Sequence, residues 1–270
     1  MRTMLCRPSL RTSRTWPWCW SPRIPDRSGA HPGWHSRRTP RTCAGRSGRK
    51  TRRSARPYCK VVNGSLRRYA ELLLDWNRTV NLTGARTLAE VEAQIADADI
   101  LLGVSWERTR TVVDIGSGGG LPAVPLALAL PQVTFLLLEA NARKCAFLEH
   151  LGGALALGNV TVIHGRAEEL AHRAEHREHF DRAISRAAAR PAVLLELALP
   201  FVKPGGELIA QVTSADPHPL QAAATRLGGG APHLVRPIEG GSSLLVVPKI
   251  ATTPAEFPRR VGVPNRRPLA

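Results

Sequence analysis

Residues 111–123 read TVVDIGSGGGLPA: an aliphatic strand that carries Asp114 runs directly into Gly116, Gly118, Gly119 and Gly120, and then into a helix-compatible apolar segment. A loop that lets a ligand lie against its backbone needs residues without Cβ, because a side chain would fill the ligand's place or forbid positive φ. The next apolar run, VTFLLLE, ends on Glu139, 19 residues after Gly120. In open α/β sheets such loops lie at the carboxyl ends of strands, where the strand order reverses. The pair of features therefore reads as a nucleotide-cofactor site on an α/β sheet.

Working outward, strands are expected at 111–115, 133–138, 160–164, 181–185 and 207–212, with helices at 122–130, 141–157, 166–173 and 190–200 between them. This alternation with short connections predicts a parallel, doubly wound, Rossmann-like sheet. Upstream, Leu66, Tyr69, Ala70, Leu73 and Leu74 recur at helical spacing and predict an amphipathic helix ending near Asn77. A second helix is expected over 88–102, with Thr87 as N-cap and Glu90 three residues later. LVRPIE and SLLVVPKI flank Gly240 and Gly241 and read as an edge hairpin, and the Pro- and Arg-rich end is expected to be an extended tail. The resulting division is a helical cap over 58–106, a Rossmann-like domain over 107–250 and a basic tail over 251–270.

The net charge of +17 suggests an anionic partner until it is placed along the chain. Residues 1–57 hold 15 Lys and Arg against one acid, Asp26, so they carry +14 and leave +3 for the rest. They also hold four of the six Trp and almost no Leu, Ile or Val. Such a segment cannot bury enough apolar surface to offset chain entropy and is expected to be disordered. Arg and Pro interrupt every apolar stretch, which excludes a signal peptide, while the Arg- and Ser-rich, acid-poor composition is compatible with a transit peptide. An over-extended start or a shifted reading frame is the rival to a true basic arm. The five cysteines include no C-x-x-C pair, which argues against a disulfide framework or zinc site and for a reducing, cytoplasmic setting. No stretch of 18 apolar residues exists to span a membrane.

Gly118, Gly120 and Ala123 also satisfy the dinucleotide pattern G-x-G-x-x-A, which is weak alone. Asp114, at the strand end, suits a cationic ligand with an amino group better than two phosphates. Leu121-Pro122 interrupts the position where a dinucleotide loop would start a phosphate-binding helix. A carboxylate at Glu139 can accept hydrogen bonds from both ribose hydroxyls, which nicotinamide and adenosyl cofactors share, so it indicates a ribose without choosing the cofactor. The bland alternative is a tight turn followed by a solvated Glu.

With these features stand WNRTVNLT (76–83), DIGSGGGLPAVPLAL (114–128), FLLLEANARKCAFLEHL (135–151), GRAEEL (165–170), SRAAARP (185–191), PFVKPGGEL (200–208) and TPAEFPRRVGVPNRRPL (253–269). Together they make the chain from Leu66 onward resemble the class I S-adenosylmethionine methyltransferases, and within them the bacterial 16S rRNA guanine-N7 methyltransferases of the glucose-inhibited division protein B family. Residues 1–57 have no counterpart in it. The resemblance implies that Gly116 and Leu121 line the methionine and sulfonium end; Asp114, Gly118, Gly120 and Arg186 are counted with them as cofactor-binding. Glu139, Ala140 and Asn141 would meet the ribose, Ala167 and Glu168 would flank the adenine, and Arg186 would face the cleft that receives RNA. It also implies 16S rRNA or the small ribosomal subunit as partner, no metal, and a cytoplasmic protein, expected to be a monomer.

Guanine N7 carries a free lone pair near neutral pH, so transfer to it needs no general base. No catalytic acid or base is therefore expected, and Asp114, His150 and His164 are not given that role; Arg186 would act by positioning. Candidate phosphate contacts are Arg143, Lys144, Arg190, Arg259, Arg260, Arg266 and Arg267, the clustered arginines of the tail foremost. Two departures from the family fall on the substrate side. Its His-x-x-Asp-Ser element reads QIADA here, with Gln94 and Ala98 in place of His and Ser, and Gln211-Val212 stands where a Lys-Gly pair is usual. The rival functions are methylation of a small molecule or protein, and a non-catalytic ribosome-binding homologue. His172, His176 and His179 have helical spacing, but the charged residues between them favour a solvated segment over a metal site.

Overall fold

The computed structural model describes residues 55–237 and 242–269, with side chains from Gly64 onward. The expectations for residues 1–57 thus fall outside the described residues, except that Ala55 to Pro57 begin the first helix. In chain order come α1 (Ala55–Trp76), α2 (Leu88–Ala98), β1 (Thr111–Ile115), α3 (Ala123–Ala129), β2 (Thr134–Glu139), α4 (Ala142–Ala154), β3 (Val160–His164), α5 (Ala167–Leu170), β4 (Phe180–Arg186), α6 (Pro191–Ala198), β5 (Val202–Val212), α7 (Gln221–Arg226), β6 (His233–Val235), β7 (Ser243–Pro248) and α8 (Val263–Arg266). Short 3₁₀ turns follow α2 at Asp99–Gly103 and α6 at Leu199–Phe201. These turns account for the overshoot of both expected helices.

The seven strands lie in the order β3-β2-β1-β4-β5-β7-β6, with β1 to β5 parallel and β7 antiparallel to both neighbours. This is the class I methyltransferase sheet that the resemblance implied. The sheet is buried on both faces, which is why its strands read as near-continuous apolar runs rather than alternating ones. Val112, Phe135, Leu137, Ile184, Ile209, Leu244 and Val246 face a core shared with α1 to α4, and Val113, Leu138, Ala183, Leu208, Leu245 and Val247 face a second core under α5 to α7. Residues Val61–Ala270 form one compact unit.

Three local expectations are revised. The helix expected over 166–173 ends at Leu170, so the three histidines do not share a helix face; His172 instead approaches the Pro258 carbonyl at 2.8 Å. Helix α7 has no counterpart in the sequence reading. The tail expected to be extended packs back on the sheet domain: Phe257 and Leu269 belong to the second core. Arg177 donates to the Thr253, Pro254 and Phe257 carbonyls at 2.7, 3.0 and 2.9 Å. Lys249, fully buried, donates to the Leu199 and Leu227 carbonyls and to the Thr253 hydroxyl, and pairs with Glu178 at 3.2 Å. These bonds supply acceptors and donors that an extended tail would have left to water.

Candidate functional site

A cleft of about 560 Å³ opens at the carboxyl ends of the strands, where the strand order reverses between β1 and β4. One wall is the glycine loop after β1. Gly116 has φ +72°, and a Cβ built on it would lie 2.8 Å from the Ala188 Cβ, so the loop after β4 approaches to a distance only glycine permits. Gly118 and Leu121 also line the cleft. Gly120 sits beneath the loop, where its N–H donates to the Ser117 carbonyl at 2.7 Å and closes the turn into α3.

Glu139 ends β2 inside the cleft and is 7% exposed. One carboxylate oxygen accepts the Gly118 N–H at 2.9 Å and the other the Asn141 N–H at 2.8 Å. Each oxygen retains a further lone pair for a hydroxyl donor. Ala140 lines the cleft beside it. Asn141 does not: its side chain is the N-cap of α4 and accepts the Arg143 and Lys144 N–H groups at 2.9 and 3.3 Å. Its contribution is to fix the start of α4. Beyond β3, Ala167 and Glu168 form the opposite wall, and Glu168 accepts the Gly262 N–H at 3.0 Å, tying the tail to the cleft's edge.

Asp114 lies behind the loop rather than in the cleft. It is fully buried, and neither carboxylate oxygen has a hydrogen-bond partner. Burial pushes its carboxyl up to about 8 against the opposing pull of the Ser117 hydroxyl, and the neighbouring Glu139 adds to the rise. A cation brought close to the loop would favour the ionised form of Asp114.

The cap supplies further residues to the site. The Tyr69 hydroxyl in α1, which burial keeps protonated, donates to the Gly119 carbonyl at 2.7 Å and holds the loop from below. Asn77 organises the chain after α1: its amide donates to the Thr83 and Ala85 carbonyls and its oxygen accepts the Leu82 and Thr83 N–H groups, all within 3.1 Å. That places Leu82, Thr83 and Gly84 in the cleft wall, where Gln94 of α2 joins them. The motif WNRTVNLT was visible in sequence, but nothing local in it revealed which wall it would build.

A family model described as rRNA small subunit methyltransferase G matches residues 62–223. The chain belongs to that family. Relatives named ribosomal RNA small subunit methyltransferase G include one from Deinococcus deserti, 38% identical over 73% of this chain and 85% of its own length. Another, from Chloroflexus aggregans, is 38% identical over 79% of this chain and 92% of its own. Among solved structures, a precorrin-6y C5,15-methyltransferase from Geobacter metallireducens resembles the chain with TM-score 0.43 and 14% identity, over 62% of this chain and 89% of that one.

In this member of the rRNA small subunit methyltransferase G family, the candidate phosphate contacts separate into two groups. Lys144 lines the cleft, with Arg143 exposed next to it, and Arg260, Arg266 and Arg267 are exposed. Arg259 is instead held by the buried Glu196, while Arg190 is exposed and donates to the Asn265 carbonyl at 3.2 Å. Arg166 stands on the cleft wall as a further cation that the sequence reading passed over. The two departures from the family pattern meet around Asp97. Gln211 donates to both the carbonyl and the carboxylate of Asp97, at 2.9 and 2.8 Å, while Gln94 accepts from the Thr83 hydroxyl at 2.7 Å and offers its carbonyl to Arg186 at 2.8 Å. Among the described residues no helix is long and apolar enough to cross a membrane.

Proposed function

We propose that this methyltransferase transfers a methyl group from S-adenosylmethionine to N7 of a guanine in 16S rRNA, as a cytoplasmic monomer acting on the small ribosomal subunit. The observation that carries the reading is the joint placement of Gly116, Gly118 and Glu139 on one cleft, in a chain that belongs to a family of small-subunit rRNA methyltransferases. The residues present fit the cofactor. Gly116 leaves room that a Cβ would fill, Glu139 has lone pairs for a ribose, and the partnerless Asp114 supplies latent negative charge behind the loop.

When bound, S-adenosylmethionine supplies an electrophilic methyl group on a sulfonium centre. Gly116 and Leu121 would line its methionine and sulfonium end, Glu139 and Ala140 the ribose, and Ala167 and Glu168 the adenine. The nucleophile is a lone pair, so no residue needs to remove a proton before attack. The protein's work is then positioning, which can lower a barrier by ~7–11 kcal/mol. Arg186 lies on the cleft wall beside Ala187 and Ala188, and would face the base. Lys144, Arg166 and the exposed tail arginines would hold phosphates without reading sequence.

The test is to incubate the full chain with labelled S-adenosylmethionine and undermethylated small subunits, and to map the label. Label at a guanine N7 of 16S rRNA is expected. Cofactor binding without label would favour a non-catalytic ribosome-binding role, and label on another acceptor class would overturn the substrate assignment.

A further inference from the structure

Around Asp97 the cap and three parts of the sheet's carboxyl edge converge. One carboxylate oxygen accepts from the Ser242 hydroxyl at 2.7 Å and the other from the Gln211 amide at 2.8 Å. That second oxygen also lies 3.7 Å from the Arg186 guanidinium, whose other nitrogen donates to the Gln94 carbonyl at 2.8 Å. Arg186 lines the cleft, and its side chain is 21% exposed. Two partners on α2 thus hold the guanidinium, Gln94 by a hydrogen bond to one terminal nitrogen and Asp97 by a longer ion pair with the other. A guanidinium carries five N–H donors, so some remain for an oxygen in the cleft.

We infer that Asp97 is a positioning residue for methyl transfer: it fixes the Arg186 guanidinium against the cleft and offsets its charge, so that Arg186 can donate to an acceptor on the target base. The inference rests on the methyl-transfer reading above. The offset matters because a sulfonium and an arginine in one cleft repel each other, and transfer to N7 moves that positive charge from the sulfonium onto the base that Arg186 would contact. A paired Arg keeps its directed donors while adding little net charge. Gln211 completes the arrangement. Being neutral, it donates to Asp97 without competing with Arg186 for its charge, as a lysine at the same place would.

Asp97→Asn keeps the shape and an acceptor while removing the charge, so it separates positioning from packing. The expected result is a melting temperature and a cofactor Kd close to those of the wild type, KM for the small subunit within about threefold, and kcat lower by about tenfold to 100-fold, the range a misplacement of about 1 Å produces. In an Arg186→Gln background the same change should cost little more. Nitrogen-15 spectra of the free protein provide a readout independent of RNA. The Arg186 Nη signals should show hindered rotation in the wild type and averaged rotation in Asp97→Asn. Additive losses in the double variant, or averaged Nη signals in the wild type, would overturn the inference. Hindered, Asp97-dependent Nη signals in a protein that methylates no small-subunit RNA would uphold the Asp97–Arg186 restraint and overturn the functional reading instead.

Discussion

Arg259 of the C-terminal segment grips Glu196 of α6 through two side-chain hydrogen bonds, Nε to Oε1 at 2.8 Å and Nη2 to Oε2 at 2.6 Å, and its backbone N–H adds a third at 2.8 Å. Glu196 is fully buried, and among the described residues its charge is paired with this arginine. The neighbouring Arg260 is exposed. Two adjacent residues of one type thus do different work.

Replacing Arg259 with alanine leaves a buried carboxylate without its partner, a change that typically costs about 3–5 kcal/mol. Thermal unfolding of Arg259→Ala should show a fall of that size. Arg259→Ala with Glu196→Gln should recover much of it, since the amide needs no counter-charge. An unchanged melting temperature for Arg259→Ala would refute the assignment.

Arg260→Ala, Arg266→Ala and Arg267→Ala should each alter stability by less than about 0.5 kcal/mol, as exposed substitutions do. If these arginines neutralise phosphates, the slope of log K against log salt for RNA binding should flatten by about 0.7 to 0.9 for each phosphate that a substitution leaves unneutralised. Filter binding at several salt concentrations measures this. An unaltered slope in the triple variant would place the RNA elsewhere.

Asp114 links stability and cofactor affinity to pH. Its carboxyl titrates at about 8 in the folded chain, against about 3.9 when unfolded, so the folded state holds the proton more tightly. Its contribution to stability is complete below the unfolded value and is lost as pH rises toward about 8. Asp114→Asn does not titrate there. The stability of the variant relative to the wild type should therefore climb between about pH 4 and 8 and level off above, as read by denaturant unfolding at each pH. A cationic cofactor favours the ionised form, so its binding near pH 7 should release protons from the wild type, and its affinity should increase as pH rises through about 8. Calorimetry in buffers of different ionisation enthalpy detects the release, which Asp114→Asn should abolish.

Glu139→Gln keeps one acceptor oxygen but turns the other position into a donor facing a backbone N–H, at Gly118 or Asn141. Losing a hydrogen bond to a charged group costs about 1.5–3 kcal/mol, so S-adenosylmethionine affinity should fall by roughly 10-fold to 150-fold. Titration calorimetry on the folded variant checks this, with NAD as a control that neither protein should bind.

The glycine loop, the acid after β2, the both-faced burial of the strands and the two cap helices were legible in sequence, because each is set by residues close together in the chain. Periodicity reports which faces are buried, and glycine reports where backbone must come close. Part of the candidate cleft was legible too: Gly116, Gly118, Leu121, Glu139, Ala140, Ala167, Glu168 and Arg186 line it. What lay beyond local sequence was the use of each polar group. Asn141 looked like a ribose contact and caps a helix, and Asp114 looked like a ligand contact and lies buried behind the loop. The tail expected to be extended is held by partners as far away as Glu168, 94 residues before Gly262. Gln211 and Asp97, separated by 114 positions, meet only in the folded chain. A charge's role depends on its partner and on the water removed around it. The chain's order cannot state either; tertiary packing decides both.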